Sequence, residues 1–150
     1  MTADNDLINL YSTRILALAS DIPHTERLAT PDATVKRRAP LCGSTVTVDL
    51  CVNDGEITDY GQDVKACALG QAAASVVGAN IIGRNRQEIE RARDQLRDML
   101  KNDGPTPSAP FEGLEVLRPA QSFRNRHASI LLAIEASLEA MTQAENASCA

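Results

Sequence analysis

A chain of 150 residues has the length of one ordinary domain, read here as a single domain over 1–150. Its 43% apolar content excludes a disordered composition, and with aromatics at 3% and no Trp the core must come from Leu, Ile, Val and Ala. A formal net charge of −5 argues against nucleic-acid binding, which needs a positive field to neutralise phosphates, and no apolar run is long enough to span a membrane.

The start, MTADNDLINLYS, carries acids where a signal peptide carries bases. The expectation is a cytoplasmic protein in which Cys42, Cys51, Cys67 and Cys149 are reduced. Their work is then packing, metal binding or thiol chemistry.

The first helix is predicted over 4–19, with Leu7, Leu10, Ile15 and Leu18 near the helical period and Asp4 or Asn5 as its cap. Pro23 ends it, and His24 lies in the following loop as a partly exposed imidazole. Residues 33–38 read as a short edge strand, where Lys36, Arg37 and Arg38 deter unwanted pairing.

Thr45 to Val52 alternates, with Val46, Val48, Leu50 and Val52 on one face and Thr45, Thr47, Asp49 and Cys51 on the other. Asn53-Asp54-Gly55 is a hairpin turn leading into a strand over 56–64. There Ile57, Tyr60 and Val64 alternate less regularly, which predicts a bulge near Gly61. The sheet as a whole spans about 33–64.

A compact helix rich in alanine follows over 68–78, with Cys67 in its N-terminal turn, where unpaired N–H groups favour a thiolate. An amphipathic helix over 86–101 has Ile89, Ala92, Leu96 and Met99 or Leu100 on one side. Three prolines and two glycines make 104–113 a loop, pinned by Phe111. The last helix is predicted over 119–144, its stripe formed by Phe123, His127, Ile130, Leu131, Ile134, Leu138 and Met141. The fold class is α+β, a small antiparallel sheet of about three strands packed against helices.

An imidazole on an apolar stripe needs a partner. It is either a core histidine bonded to a carbonyl or carboxylate, or a ligand brought against Cys42 and Cys67. Two thiolates plus an imidazole suit zinc or iron–sulfur iron, leaving a fourth position for Asp63, Ser44, water, substrate or sulfide. A Cys-x-x-Cys pair is absent, so a closed zinc knuckle does not fit and an open, exchangeable site does. Phosphate-loop, zinc-protease and nucleophile-elbow motifs are absent too, and no orienting carboxylate beyond Asp63 supports a Cys–His hydrolase.

Leu41-Cys42-Gly43-Ser44, the Asn53-Asp54-Gly55 hairpin, Ala66-Cys67-Ala68 running into QAAAS, and Arg126-His127-Ala128-Ser129-Ile130-Leu131 together resemble the NifU/IscU-like iron–sulfur cluster assembly scaffolds. The resemblance covers roughly residues 7–141, and the segment 104–113 looks like the insertion of the SufU-type branch. It implies a transient [2Fe–2S] cluster or iron held by Cys42, Cys67 and His127. Sulfur would come from a cysteine desulfurase, and the cluster would pass to acceptor proteins. A zinc-bound sulfur acceptor, or a metal-free domain that binds the assembly machinery, is the alternative, and a homodimer sharing a cluster is compatible with a short ligand set. Two positions depart from the family pattern. Ser44 stands in place of an aspartate, and Ala128 in place of a third cysteine.

Overall fold

The computed structural model describes residues 11–148. Three strands form one antiparallel sheet in the order β1 (Ala33–Arg38), β2 (Thr45–Asn53), β3 (Glu56–Lys65). Helix α1 (Thr13–Ala19) precedes them, and α2 (Ala68–Asn80), α3 (Arg86–Asn102) and α4 (His127–Ser148) follow. The expected cap and first turns near Asp4 lie outside the described residues. Within them, the Ser12 hydroxyl caps α1 by accepting from the Ile15 N–H.

The β2–β3 hairpin closes as the turn chemistry requires. Asp54 and Gly55 both adopt positive φ, 54° and 78°, the pair of left-handed residues that a two-residue turn uses to match strand twist. The 33–38 segment does pair as the third strand, from Ala33 opposite Leu50 to Arg38 opposite Thr45.

The bulge falls elsewhere than at Gly61. Cys51 pairs with Asp59 and Val52 with Ile57, so Thr58 is the extra residue. That insertion explains why Ile57 and Tyr60, three apart, both face the core. Gly61 serves close approach instead, because a Cβ there would collide with the Glu26 backbone carbonyl.

Asp49 was expected on the solvated face and is fully buried. The 27–28 segment covers it. Arg27 donates Nε and Nη2, the Leu28 N–H donates at 3.1 Å and the Thr34 hydroxyl at 2.6 Å. Burial alone would raise its pKa, but these donors outweigh burial and hold the carboxyl below the usual range.

Helix α3 begins with a capping box, Asn85 and Glu88 exchanging side-chain and backbone bonds, and ends at Asp103 in the left-handed region. The 104–113 segment is not loop throughout. After Phe111, which is buried, residues Glu112–Ser122 and Arg124–Arg126 form 3-10 turns. The last α-helix therefore begins at His127 rather than near Pro119. Phe123, at φ −111° and ψ 70°, breaks the path between the two.

Helix α4 is more deeply buried than a single stripe implies. Leu132, Ala133, Ala136, Ser137 and Ala140 are covered as well as Ile130, Ile134 and Met141. It lies against β1 and β2 on one side and against α2 and α3 on the others. Its serines are bonded accordingly. Ser137 donates to the Ala133 carbonyl at 2.7 Å, so the buried Tyr60 hydroxyl, 2.7 Å away, donates to Ser137.

Candidate functional site

Antiparallel pairing decides where the cysteines go. Thr45 opposite Lys65 places the entry to β2 and the exit from β3 at the same end of the sheet. Cys42 precedes the first by three residues and Cys67 follows the second by two.

The Cys42 loop is closed at its base. The Ala39 N–H donates to the Ser44 carbonyl at 2.8 Å, and the Gly43 N–H to the Ala39 carbonyl at 2.9 Å. Gly43 takes φ 71°, a conformation that suits glycine. The loop thus presents Cys42 outward while burying Ser44. Cys67 is the N-cap of α2 and is half-buried.

Two serines join the sulfurs. Cys42 Sγ lies 3.1 Å from Ser44 Oγ, the Ser129 hydroxyl donates to Ser44 Oγ at 3.1 Å, and Cys67 Sγ lies 3.5 Å from Ser129 Oγ. A hydroxyl has one proton to give. Because Ser129 spends its proton on Ser44, Cys67 must donate to Ser129, and Ser44 keeps its own proton for Cys42. The chain of donors runs from Cys67 to Cys42. Burial by itself would raise the Cys42 pKa. The Ser44 hydroxyl and backbone N–H and the Arg126 charge together outweigh it and hold the thiol below its ordinary value.

Gly70 makes this geometry possible. A Cβ on Gly70 would stand 2.5 Å from Ser129 Oγ and 3.1 Å from the Ser129 carbonyl oxygen. The bare backbone of α2 lets α4 come close enough for Ser129 to reach both Cys67 and Ser44.

Four-tenths of this chain matches a crystallised protein residue for residue. The N-terminal part of a nitrogen-fixing NifU-like protein from Brucella abortus is 41% identical, with TM-score 0.91 over 94% of this chain and 98% of that one. The chain belongs to the NifU/IscU-like iron–sulfur scaffold family. The iron–sulfur cluster assembly scaffold protein IscU of Thermotoga maritima is 30% identical over 96 residues, which span 63% of this chain and 66% of that relative. A candidate iron–sulfur cluster assembly scaffold protein for the SUF system, from Fervidobacterium islandicum AW-1, shares the fold at TM-score 0.79 and 18% identity, over 89% of this chain and 98% of that one. No family model matches the chain.

Within this NifU/IscU-like fold, the sequence-predicted site residues fare differently. Cys42 and Cys67 come together through the two hydroxyls. His127 is buried at the N-terminus of α4 with Nε2 2.9 Å from the Ala120 carbonyl, so that nitrogen carries the proton and donates. Among the described residues, no three His, Cys, Asp or Glu side chains gather closely enough to hold a metal ion. Asp63 is on the outer face of β3, opposite Thr47 and 4.0 Å from Lys65. Cys51 is mid-strand with its thiol 3.6 Å from the Thr30 carbonyl, and Cys149 lies outside the described residues.

Ser129 went unnoticed in the sequence because it stands off the apolar stripe, as one more polar residue of α4. The signal that points to it is the pairing of small residues, Gly70 on one helix and Ser129 on the other, and it has no meaning until the helices are known to cross there.

Proposed function

We propose that this chain is an iron–sulfur cluster assembly scaffold or carrier, which takes iron or a [2Fe–2S] cluster as cargo at Cys42 and Cys67 and passes it to acceptor proteins. The observation that carries the reading is the Cys42–Ser44–Ser129–Cys67 chain of bonds. It links two sulfurs from distant segments through two hydroxyls, one of the sulfurs being exposed to solvent. The family supports the same reading, since its Thermotoga maritima relative is named for cluster assembly.

The donor set suits cargo that must leave. Two thiols bind soft metal, while neutral hydroxyls are poor ligands at neutral pH. Serine at position 44 and alanine at position 128, where the family resemblance implies aspartate and cysteine, make the hold weaker than three thiolates would. His127 donates Nε2–H to the Ala120 carbonyl, which leaves Nδ1 as the nitrogen with a lone pair for a metal. We take a cysteine desulfurase as the sulfur source and place the exchange in the cytoplasm, where the thiols stay reduced. The insertion at 104–113 supports a position near the SufU-type branch.

Anaerobic reconstitution with iron and sulfide tests the reading. Wild-type protein is expected to develop charge-transfer absorption, and Cys42→Ala or Cys67→Ala to weaken it strongly. A colourless wild-type product would overturn the cluster reading. Stoichiometric zinc in freshly purified protein would turn the assignment to a zinc-bound sulfur acceptor.

A further inference from the structure

The two faces of the sheet carry different chemistry at the cysteine end. One face lies against α4, where Arg37 meets Glu139 at 2.9 Å. Lys36 and Arg38, on either side of Arg37, therefore point the other way, and both are exposed. Register extends that outer face across the strands. Arg38 stands opposite Thr45 and Thr45 opposite Lys65, which makes one row. Lys36, Thr47 and Asp63 make the next.

These two rows form a basic corner on an acidic protein. Lys36, Arg38 and Lys65 share them with one carboxylate, Asp63, while the chain as a whole carries −5. Lys36 and Arg38 have no ion-pair partner among the described residues. Lys65 has a loose contact with Asp63 at 4.0 Å, and its side chain is 75% exposed. Farther along the same face the charge is cancelled, because the buried Asp49 is paired with Arg27. The corner adjoins the Cys42 loop. Arg38 Nη2 comes within 3.8 Å of the position a Gly43 Cβ would occupy, and Leu41, next to Cys42, is 78% exposed.

Unpaired guanidinium and ammonium groups recognise carboxylates. Neighbouring strands lie about 4.8 Å apart, so Arg38 and Lys65 stand about 10 Å apart across β2. Glutamates two turns apart on a helix repeat at about 11 Å, which nearly matches. A net charge of −5 opposes the broad field of a nucleic acid or an anionic membrane, whereas a compact acidic patch meets only the corner. Leu41 adds an apolar contact at the rim, as a protein surface can use.

We propose that the outer face of the sheet beside Cys42 docks an acidic helix of a partner protein. Its carboxylates pair with Lys36, Arg38 and Lys65 and hold the partner against the exposed thiol. That the partner exchanges cargo there rests on the carrier reading; the docking face does not.

The first test uses reduced, metal-free, full-length protein. The probe is a helical peptide with glutamates one and two turns apart and a terminal cysteine carried as its pyridyl disulfide. The control has glutamines in their place. The Cys42 thiolate attacks the peptide sulfur, the S–S bond breaks and thiopyridine leaves as a thiolate, so the probe brings its own oxidant. Mass spectrometry assigns the mixed disulfide to Cys42. At low ionic strength the acidic peptide should modify Cys42 about tenfold faster than the control, and salt should erase the difference. Lys36→Gln/Arg38→Gln/Lys65→Gln should make the two rates equal, and Lys36→Arg/Arg38→Lys/Lys65→Arg should keep them apart. The three side chains are exposed, and circular dichroism checks that both variants fold. Equal rates in wild type, or an unchanged ratio in the folded glutamine variant, overturn the docking face.

A second measurement separates the classes of partner. Amide shifts of nitrogen-labelled protein are followed with the acidic peptide lacking its cysteine, with a DNA duplex, and with phosphatidylcholine vesicles containing phosphatidylserine. The peptide should move Lys36, Arg38, Thr45, Thr47 and Lys65. Shifts confined to other parts of the molecule, or tighter binding of DNA or vesicles at this corner, overturn the proposal of a protein partner. A colourless reconstitution with iron and sulfide overturns the carrier reading instead, and these two experiments still decide the docking face.

Discussion

Ser129 links two sulfurs that the chain keeps far apart in sequence. It takes the Cys67 proton and gives its own to Ser44, which leaves Ser44 free to donate to Cys42. Donors aimed at a thiolate favour the charged form, so Cys42 should be alkylated by iodoacetamide with a pH midpoint below that of an ordinary thiol. Ser129→Ala takes away the hydroxyl that donates to Ser44 and so loosens the donor aimed at Cys42, and the midpoint should move up. A midpoint that stays put would mean that the bridge does not reach the sulfur. Asp49 acts by the same physics with a structural result. Its folded pKa is depressed, so its stabilisation is complete above the usual carboxylate range and is lost as pH falls through the depressed value. Asp49→Ala leaves the Leu28 N–H and the Thr34 hydroxyl unpaired and should cost about 3 kcal/mol at neutral pH, read by urea unfolding. Arg27→Ala should cost much less, because that guanidinium is half in solvent. Near-equal losses would contradict this assignment of the cost.

At the scale of elements, the site depends on how closely α2 and α4 approach. Gly70→Ala puts a methyl group 2.5 Å from Ser129 Oγ and 2.9 Å from Ala66 Cβ, both in a packed contact. The expected cost is about 1–3 kcal/mol, with loss of the Ser129 bridge and an upward move of the Cys42 midpoint. Unchanged Cys42 reactivity alongside unchanged stability would show that the helices have room to spare. The segment between α3 and α4 has its own anchor. Phe111 is 1% exposed at the start of the 3-10 stretch, and Phe111→Ala should cost about 3–5 kcal/mol in thermal or urea unfolding. A loss below 1 kcal/mol would mean that the surrounding side chains collapse into the space.

Over the whole molecule, the core and the site are separable. The buried aliphatic side chains of β2, α2, α3 and α4 form the core without either sulfur, and Cys67 only packs at its margin. Cys42→Ala/Cys67→Ala protein should therefore unfold cooperatively within a few degrees of wild type while losing cargo binding, and a collapse of its melting temperature would join the two functions. Much of this architecture was legible from local chemistry. Alternation marked β2, Asn53-Asp54-Gly55 marked the hairpin and the apolar period of Ile89, Ala92 and Leu96 marked α3, and the antiparallel hairpin brings Cys42 and Cys67 to one end of the sheet. Such signals are local, because each residue's conformation and its immediate neighbours set them. The burial of Asp49 beneath Arg27, the bulge at Thr58, the delayed start of the last helix at His127 and the seating of Ser129 against Gly70 were not legible. Each depends on which surfaces meet across long sequence separations, and that choice is made by packing the assembled elements together. By itself the sequence determined the elements, their order and the two sulfurs. Only tertiary packing decided which hydroxyls stand between those sulfurs and that the imidazole is bonded to Ala120.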